Sequence, residues 1–315
     1  MRAGLLLSGR RRAYEAVGLA VEAEKVGIDE VWVSEDYCER GAFALAGAVA
    51  QATSRVRIGL GVLNPWTRHP MLTAMEFAAL DELSEGRSTL GIGASNPHWM
   101  QNQLGIQFDQ PLSRIRECVD VLRPLLAGDQ IDHDGASWKI RAQLAFTPER
   151  PAPPIVLGVK GPRAMEMAAA VADGVLLSLL SGRGYVAWAR QTLGADMDVS
   201  AYVAFSCDDD ASNARERLRP QVAKYLGVHG VHQITGLAGI EPTLATAFRE
   251  GWQKGEPRVD LVDDKTLDAV AVAGDPDDCR AGLRALASAG LDGAILTDQL
   301  SPEELVQAVD AIHDI

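Results

Sequence analysis

Val56-Arg-Ile-Gly-Leu-Gly-Val-Leu-Asn-Pro-Trp-Thr-Arg-His-Pro70 holds one complete strand-to-helix passage. Val56–Leu63 is written in β-branched and aliphatic residues and reads as a buried strand. Asn64-Pro65 ends it as an exit turn. Trp66, Thr67, Arg68 and His69 form a polar, aromatic loop, and Pro70 suits the first turn of a helix. The two glycines let a backbone or a flat ligand come close. Two readings are open at this point: a cofactor seat at a barrel strand end, or a strand end with an ordinary turn.

The same rhythm runs outward in both directions. Strands are expected at Arg2–Leu7, Glu30–Ser34, Val56–Leu63, Ser88–Ile92, Pro154–Gly158, Gly174–Ser178, Val199–Ser206 and Asp292–Leu296. Amphipathic helices are expected at 13–26, 43–52, 71–83, 113–127, 162–171, 276–289 and 302–313. Eight strands alternating with helices imply parallel pairing, because each crossover needs a helix. The expected fold is α/β, a (β/α)8 TIM-like barrel in a single domain over 1–315. The surplus length falls at 129–147, which reads as a hairpin around Gly135, and at 227–264. An open doubly wound sheet is disfavoured, since Leu7-Ser-Gly-Arg-Arg-Arg12 does not fit the Gly-x-Gly-x-x-Gly turn.

Composition narrows the function. The chain has 315 residues and a formal net charge of −13, which disfavours nucleic-acid binding. No apolar run reaches the roughly 20 residues of a membrane span, so no membrane association is expected. The N-terminal apolar run is too short for a signal peptide. Cys38, Cys118, Cys207 and Cys279 are scattered, without metal-site or disulfide spacing. A cytoplasmic location is expected.

In a barrel, chemistry gathers at the C-terminal ends of the strands. Glu35 and Asp36 are adjacent carboxylates there; one of them is expected to face the site and carry a proton or orient a ligand. A solvated loop pair, or a partner for Arg40, is the plainer reading. Ser95 and Asn96 follow strand four. Gly158-Val-Lys160-Gly161-Pro162 leads strand five into a helix start, whose unpaired N–H groups suit a phosphate. His69 reads as a cofactor contact or a cap. His229 and His232 lack a third metal ligand, so no metal is expected.

These stretches resemble the bacterial luciferase-like superfamily of flavin- or deazaflavin-dependent oxidoreductases, in particular the branch that includes the methylenetetrahydromethanopterin reductases. The resemblance rests on Val33–Tyr37, Gly59–Pro70, Leu80–Gly93, Asp134-Gly135 with Trp138, Val159–Pro162 with Ala172–Val175, and Ala273–Pro276. It implies a TIM-like barrel, coenzyme F420 with FMN as the alternative, and a small-molecule substrate. It also implies a non-prolyl cis peptide at Gly61-Val62 behind the deazaflavin ring. Asn64, Ser95 and Asn96 would contact the cofactor, and Gly158, Lys160, Gly161 and Pro162 would hold its phosphate. The implied reaction is hydride transfer between the deazaflavin C5 and an organic substrate, with Asp36 or Glu35 as the proton-handling or orienting group. The alternatives are an FMN-dependent monooxygenase or a catalytically weak flavin-binding barrel. A homodimer is implied, with Phe43, Leu45, Met71, Leu72 and Phe77 on helices two and three as interface or core. Two departures stand out. Relatives often carry His where this chain has Asp36, and the pterin reductases place an acidic group near the end of strand one, where this chain reads Leu5-Leu-Leu-Ser-Gly9.

Overall fold

Eight strands close into a barrel in the computed structural model, which describes residues 1–95, 97–297 and 300–315. They are β1 (Arg2–Leu7), β2 (Glu30–Val33), β3 (Arg57–Leu63), β4 (Ser88–Gly93), β5 (Ile155–Gly158), β6 (Gly174–Leu177), β7 (Asp198–Val203) and β8 (Gly293–Leu296). Their order is β1-β8-β7-β6-β5-β4-β3-β2, closing on β1, with parallel ladders. Within this barrel the chain gathers into two compact units.

One unit comprises residues 7–25 and 29–176. It holds β2–β6 and the helices α1 (Ala13–Val26), α2 (Ala42–Ala52), α3 (Pro70–Leu83), α4 (Pro111–Leu126) and α5 (Pro162–Val171). Helix α2 buries Ala42, Leu45, Ala46 and Val49, a stripe at helical spacing. Its C-terminal carbonyls are capped from a distance. Arg87 donates to Ala50 O (2.9 Å), Thr53 O (3.0 Å) and Val56 O (2.9 Å), where a cation complements the helix end. Asp81 of α3 is buried and takes two guanidinium bonds from Arg150. Arg150 also donates to Ser88 O at 2.6 Å, and the Ser88 hydroxyl bonds Asp81. This network fixes the N-terminal end of β4, and with it the start of the strand whose far end reaches the candidate site.

The expected hairpin is present as strands Ile131–Asp134 and Lys139–Ala142. It turns around a carboxylate. Glu117 of α4 accepts from Ser137 N (2.9 Å), Trp138 N (3.0 Å) and His133 Nε2 (3.0 Å). A Cβ at Gly135 would lie 2.0 Å from Glu117 Oε1, so a larger residue at the tip would displace the carboxylate from its three donors.

The other unit comprises residues 1–6, 26–28 and 177–315. Here the seventh strand differs from the expected Val199–Ser206. Residues 198–203 stay in the barrel, while Phe205–Cys207 leaves it to pair in parallel with Val272–Gly274. The break falls at Ala204, whose carbonyl accepts from Val272 N at 2.9 Å. Position 227 does not open an insertion, because it lies inside the helix Ala211–His229. Gly227 serves as a helix crossing, since a Cβ there would sit 2.4 Å from Trp252 Cβ and 2.8 Å from Phe248 O. The helix Pro242–Gln253 packs there, with Phe248, Leu226, Val222 and Leu267 in one apolar cluster. His229 donates from Nε2 to Leu179 O at 2.8 Å, and His232 caps the next short helix through Nδ1. Among the described residues, no group of His, Cys, Asp or Glu is placed to hold a metal ion, and no helix is long and apolar enough to cross a membrane.

Candidate active site

The exits of β2, β3, β4 and β5 belong to one unit and lie on consecutive strands. The Gly61-Val62 peptide is cis, and the β3–β4 register shifts between Leu60 and Leu63. Val62 lies across the neighbouring strands. A Cβ at Gly93 would fall 2.5 Å from Val62 Cγ2, and one at Gly158 would fall 2.9 Å from Val62 Cγ1. At Gly91 a Cβ would fall 2.0 Å from Leu60 O. Carbon atoms in contact sit at about 3.5–4.0 Å, so these three glycines make the floor on which the Val62 side chain rests. Val62 itself is half-buried and forms an apolar wall.

Trp32 stands opposite Gly59 in the β2–β3 ladder. A Cβ at Gly59 would lie 2.3 Å from the indole ring. Trp32 is 4% exposed, and its Nε1 has no hydrogen-bond partner. Of the other buried polar atoms in the same condition, Ser34 Oγ, Glu35 Oε2 and Ser95 Oγ sit at the exits of β2 and β4. An unsatisfied buried polar group costs about 1–3 kcal/mol. Their concentration at the β2 and β4 exits is what a ligand-binding face requires.

The sequence-selected residues distribute as follows. Glu35 is half-buried, and its Oε1 accepts from Arg68 Nη2 at 3.0 Å. Its partner is therefore Arg68 and not Arg40. Arg68 also pairs with Glu76 and lies over the Phe43 ring at 5.0 Å. Asp36 is half-buried beside it. Asn64 is buried, and its Oδ1 accepts from Trp66 N (2.9 Å), Thr67 N (3.1 Å) and Thr67 Oγ1 (3.3 Å). That oxygen is committed to the turn, which leaves the amide N–H2 for a ligand. His69 caps α3 by accepting from Met71 N at 3.2 Å and meets Trp138 edge-on at 6.3 Å. Asn96 lies outside the described residues. Ser181 Oγ donates to the main-chain carbonyl of Ser178 at 2.7 Å.

Gly161, at φ +84°, sits at the N-cap of α5 with Pro162 behind it, and no side chain caps the helix start. A Cβ at Gly161 would meet nothing within 4 Å, so open space lies ahead of that turn. Gly158 is half-buried and Lys160 exposed. An anion is well accommodated by such a helix start.

Sequence reasoning overlooked two contributions. Tyr37, at the exit of β2 that the sequence marks, meets Trp99 edge-on at 5.7 Å; Trp99 is the first of the two, and belongs to a π-helical turn, His98–Gln103, that carries no periodic signal. Burial pushes the Tyr37 phenol above its ordinary value against the pull of the Ser95 and Thr67 hydroxyls, and the Glu35 and Asp36 carboxylates push the same way as burial. Ser95 Oγ makes no hydrogen bond of ordinary geometry, so its influence on the phenol is one of proximity. Arg114 is the other. Its guanidinium lies 5.3 Å from the Trp66 ring and 5.2 Å from the Trp138 ring, and Trp66 packs on Phe108 at 4.6 Å. The hairpin is thereby fastened to the turn after β3.

Comparisons with known proteins agree with this geometry. Residues 1–293 match the family model described as luciferase-like monooxygenase. The chain is 30% identical over 295 residues to 5,10-methylenetetrahydromethanopterin reductase of Methanolobus tindarius, covering 90% of this chain and 89% of that one. It is 29% identical to an F420-dependent glucose-6-phosphate dehydrogenase of Amycolatopsis mediterranei, covering 88% and 86%. The solved coenzyme F420-dependent tetrahydromethanopterin reductase of Methanopyrus kandleri superposes with a TM-score of 0.87 at 25% identity, covering 98% and 97%.

Proposed function

Because the chain belongs to the luciferase-like monooxygenase family, we propose that it is a coenzyme F420-dependent oxidoreductase acting on a small organic substrate. The observation that carries this reading is the Val62 wall on β3 with unpaired Ser34, Glu35 and Ser95 atoms at the exits of the flanking strands β2 and β4, an apolar surface with polar groups on the neighbouring strands. Such a surface suits a planar ring whose rim needs hydrogen bonds. Relatives named for coenzyme F420 support the same choice. When bound, the coenzyme would supply the hydride chemistry.

The chain's own residues divide the remaining work. Val62 and Gly61 would back the ring, and the Asn64 amide and the Ser95 hydroxyl would hold its edge. Asn96 is proposed with them from the resemblance. Gly158, Lys160, Gly161 and Pro162 would receive the phosphate at the start of α5. Glu35, held by Arg68, would orient the substrate, and Asp36 would move the proton. The reading also includes a homodimer. Leu45 and Phe77 are fully core, whereas Leu72 is 50% and Met75 45% exposed on α3, so α3 is the face proposed to pair.

Side-by-side titrations with coenzyme F420 and FMN, followed by absorbance and fluorescence, test the cofactor. Coenzyme F420 should bind at least about tenfold more tightly, a difference of about 1.4 kcal/mol. Tighter binding of FMN would overturn the assignment.

A further inference from the structure

The turn after β1 reads Ser8-Gly-Arg-Arg-Arg12 in a chain of net charge −13. Arg40, from the turn after β2, is bound to it. Arg40 Nη1 donates to Gly9 O (3.0 Å) and Arg10 O (3.1 Å), and Arg40 N donates to Gly9 O (3.3 Å). A Cβ at Gly9 would lie 2.8 Å from Arg40 O, so the two turns are in van der Waals contact and fix each other. Arg12 Nη1 donates to Tyr14 Oη at 2.9 Å. Arg10 pairs with Glu39 at 2.6 Å, and Glu15 accepts from Arg12 N at 3.3 Å. Glu39 Oε1 and Glu15 are engaged by these bonds, Glu39 Oε2 is buried without a hydrogen-bond partner, and Arg12 and Arg40 are exposed and keep guanidinium donors beyond the bonds that position them.

We propose that Arg12 and Arg40 form a guanidinium ledge that binds the carboxylate or phosphate groups of an anionic substrate. This rests on the oxidoreductase reading above and specifies its substrate class. Two held guanidinium groups offer paired N–H donors suited to planar or tetrahedral oxyanions, and holding them in place lowers the entropy lost on binding. The ledge follows β1 and β2, whereas the Gly158–Pro162 turn follows β5, three strands beyond β2 in the barrel order. A cofactor phosphate seated at that turn leaves the ledge to a different anion. The ledge also inverts the acidic character that the resemblance leads one to expect near the end of strand one.

The test uses the whole protein, wild type, Arg12→Ala, Arg40→Ala and the double variant, titrated calorimetrically with inorganic tripolyphosphate and with triglutamate. Saturable binding is expected. Each substitution should weaken it about tenfold, and it should fall as NaCl rises from about 25 to about 250 mM. No binding, or binding unchanged in the double variant, overturns the ledge. A second arm compares coenzyme F420 with its deazaflavin fragment lacking the anionic tail. If the preference for the full coenzyme is the same in wild type and double variant, the anion belongs to the substrate. If the preference collapses in the double variant, the ledge serves the coenzyme and the substrate assignment fails. If neither deazaflavin binds, the oxidoreductase reading fails, while the tripolyphosphate titration still reads the ledge by itself. Far-ultraviolet circular dichroism should be unchanged in every variant; thermal melting should be unchanged in Arg12→Ala, whose side chain is exposed, and somewhat lower in Arg40→Ala, which also removes the bonds to Gly9 O and Arg10 O.

Discussion

Val62 shows how one side chain dictates its neighbours. Its methyl groups occupy the space that a Cβ at Gly158 or Gly93 would need. Gly158→Ala should therefore lower stability by about 1–3 kcal/mol through overpacking, read as a drop in the denaturant midpoint. Val62→Ala removes both Cγ atoms that a Gly158 Cβ would meet, so the double variant should recover much of that loss. Additive effects of the two substitutions would show that the contact does not set the cost. Asp81 is the opposite case, a residue far from the site that the site depends on. Asp81→Ala strands Arg150 and the Ser88 hydroxyl, and breaking a buried pair costs about 3–5 kcal/mol. Thermal denaturation should show the loss; a shift of only a degree or two would mean that Arg150 finds another partner.

Among the elements, the hairpin at 131–142 has a defined latch and a defined pH dependence. Burial alone would raise the Glu117 carboxyl. The bonds from His133, Trp138 N and Ser137 N outweigh it and hold the group below its ordinary value. A carboxyl lowered in the folded state stabilises at pH above its unfolded value, about 4.3, and that contribution is lost as pH falls through the lowered folded value. Hydrogen-exchange protection factors at the Ser137 and Trp138 amides, corrected for the intrinsic pH dependence of exchange, should thus be high near neutrality and fall in acid. Glu117→Gln should bring much of that opening to neutral pH. Protection that is indifferent both to acid and to this substitution would assign the latch to the Arg114–Trp138 stack instead. The latch matters for function because the same stack includes Trp66, in the turn that Asn64 organises.

For the whole molecule, oligomeric state is the property most open to measurement. Light scattering coupled to size exclusion should give a dimer mass for the wild type. Replacing Leu72 and Met75 together by glutamate should produce a monomer with an unchanged far-ultraviolet circular dichroism spectrum, melting at or below the wild-type temperature because the partner's stabilisation is lost. A wild-type monomer would leave the α3 stripe as plain exposed surface.

The alternation of apolar strands with amphipathic helices was enough to specify the barrel, because each period, two or 3.6, decides which faces must be buried. Local chemistry likewise marked the hairpin at Gly135, the helix starts at Pro70 and Pro162, and the polar strand exits. The partners of those exits were decided only by the tertiary structure. Glu35 finds Arg68, thirty-three residues on, and Arg40 reaches back to the carbonyls of Gly9 and Arg10 in a separate turn. The start of the surplus at 227 and the end of the seventh strand are misplaced for the same reason: a glycine or alanine in a sequence does not say whether it ends an element or admits a neighbour. Periodicity is a property of one segment, so it is legible along the chain. A hydrogen-bond partner or a close approach is a property of two segments distant in sequence, and it exists only once folding has brought them together.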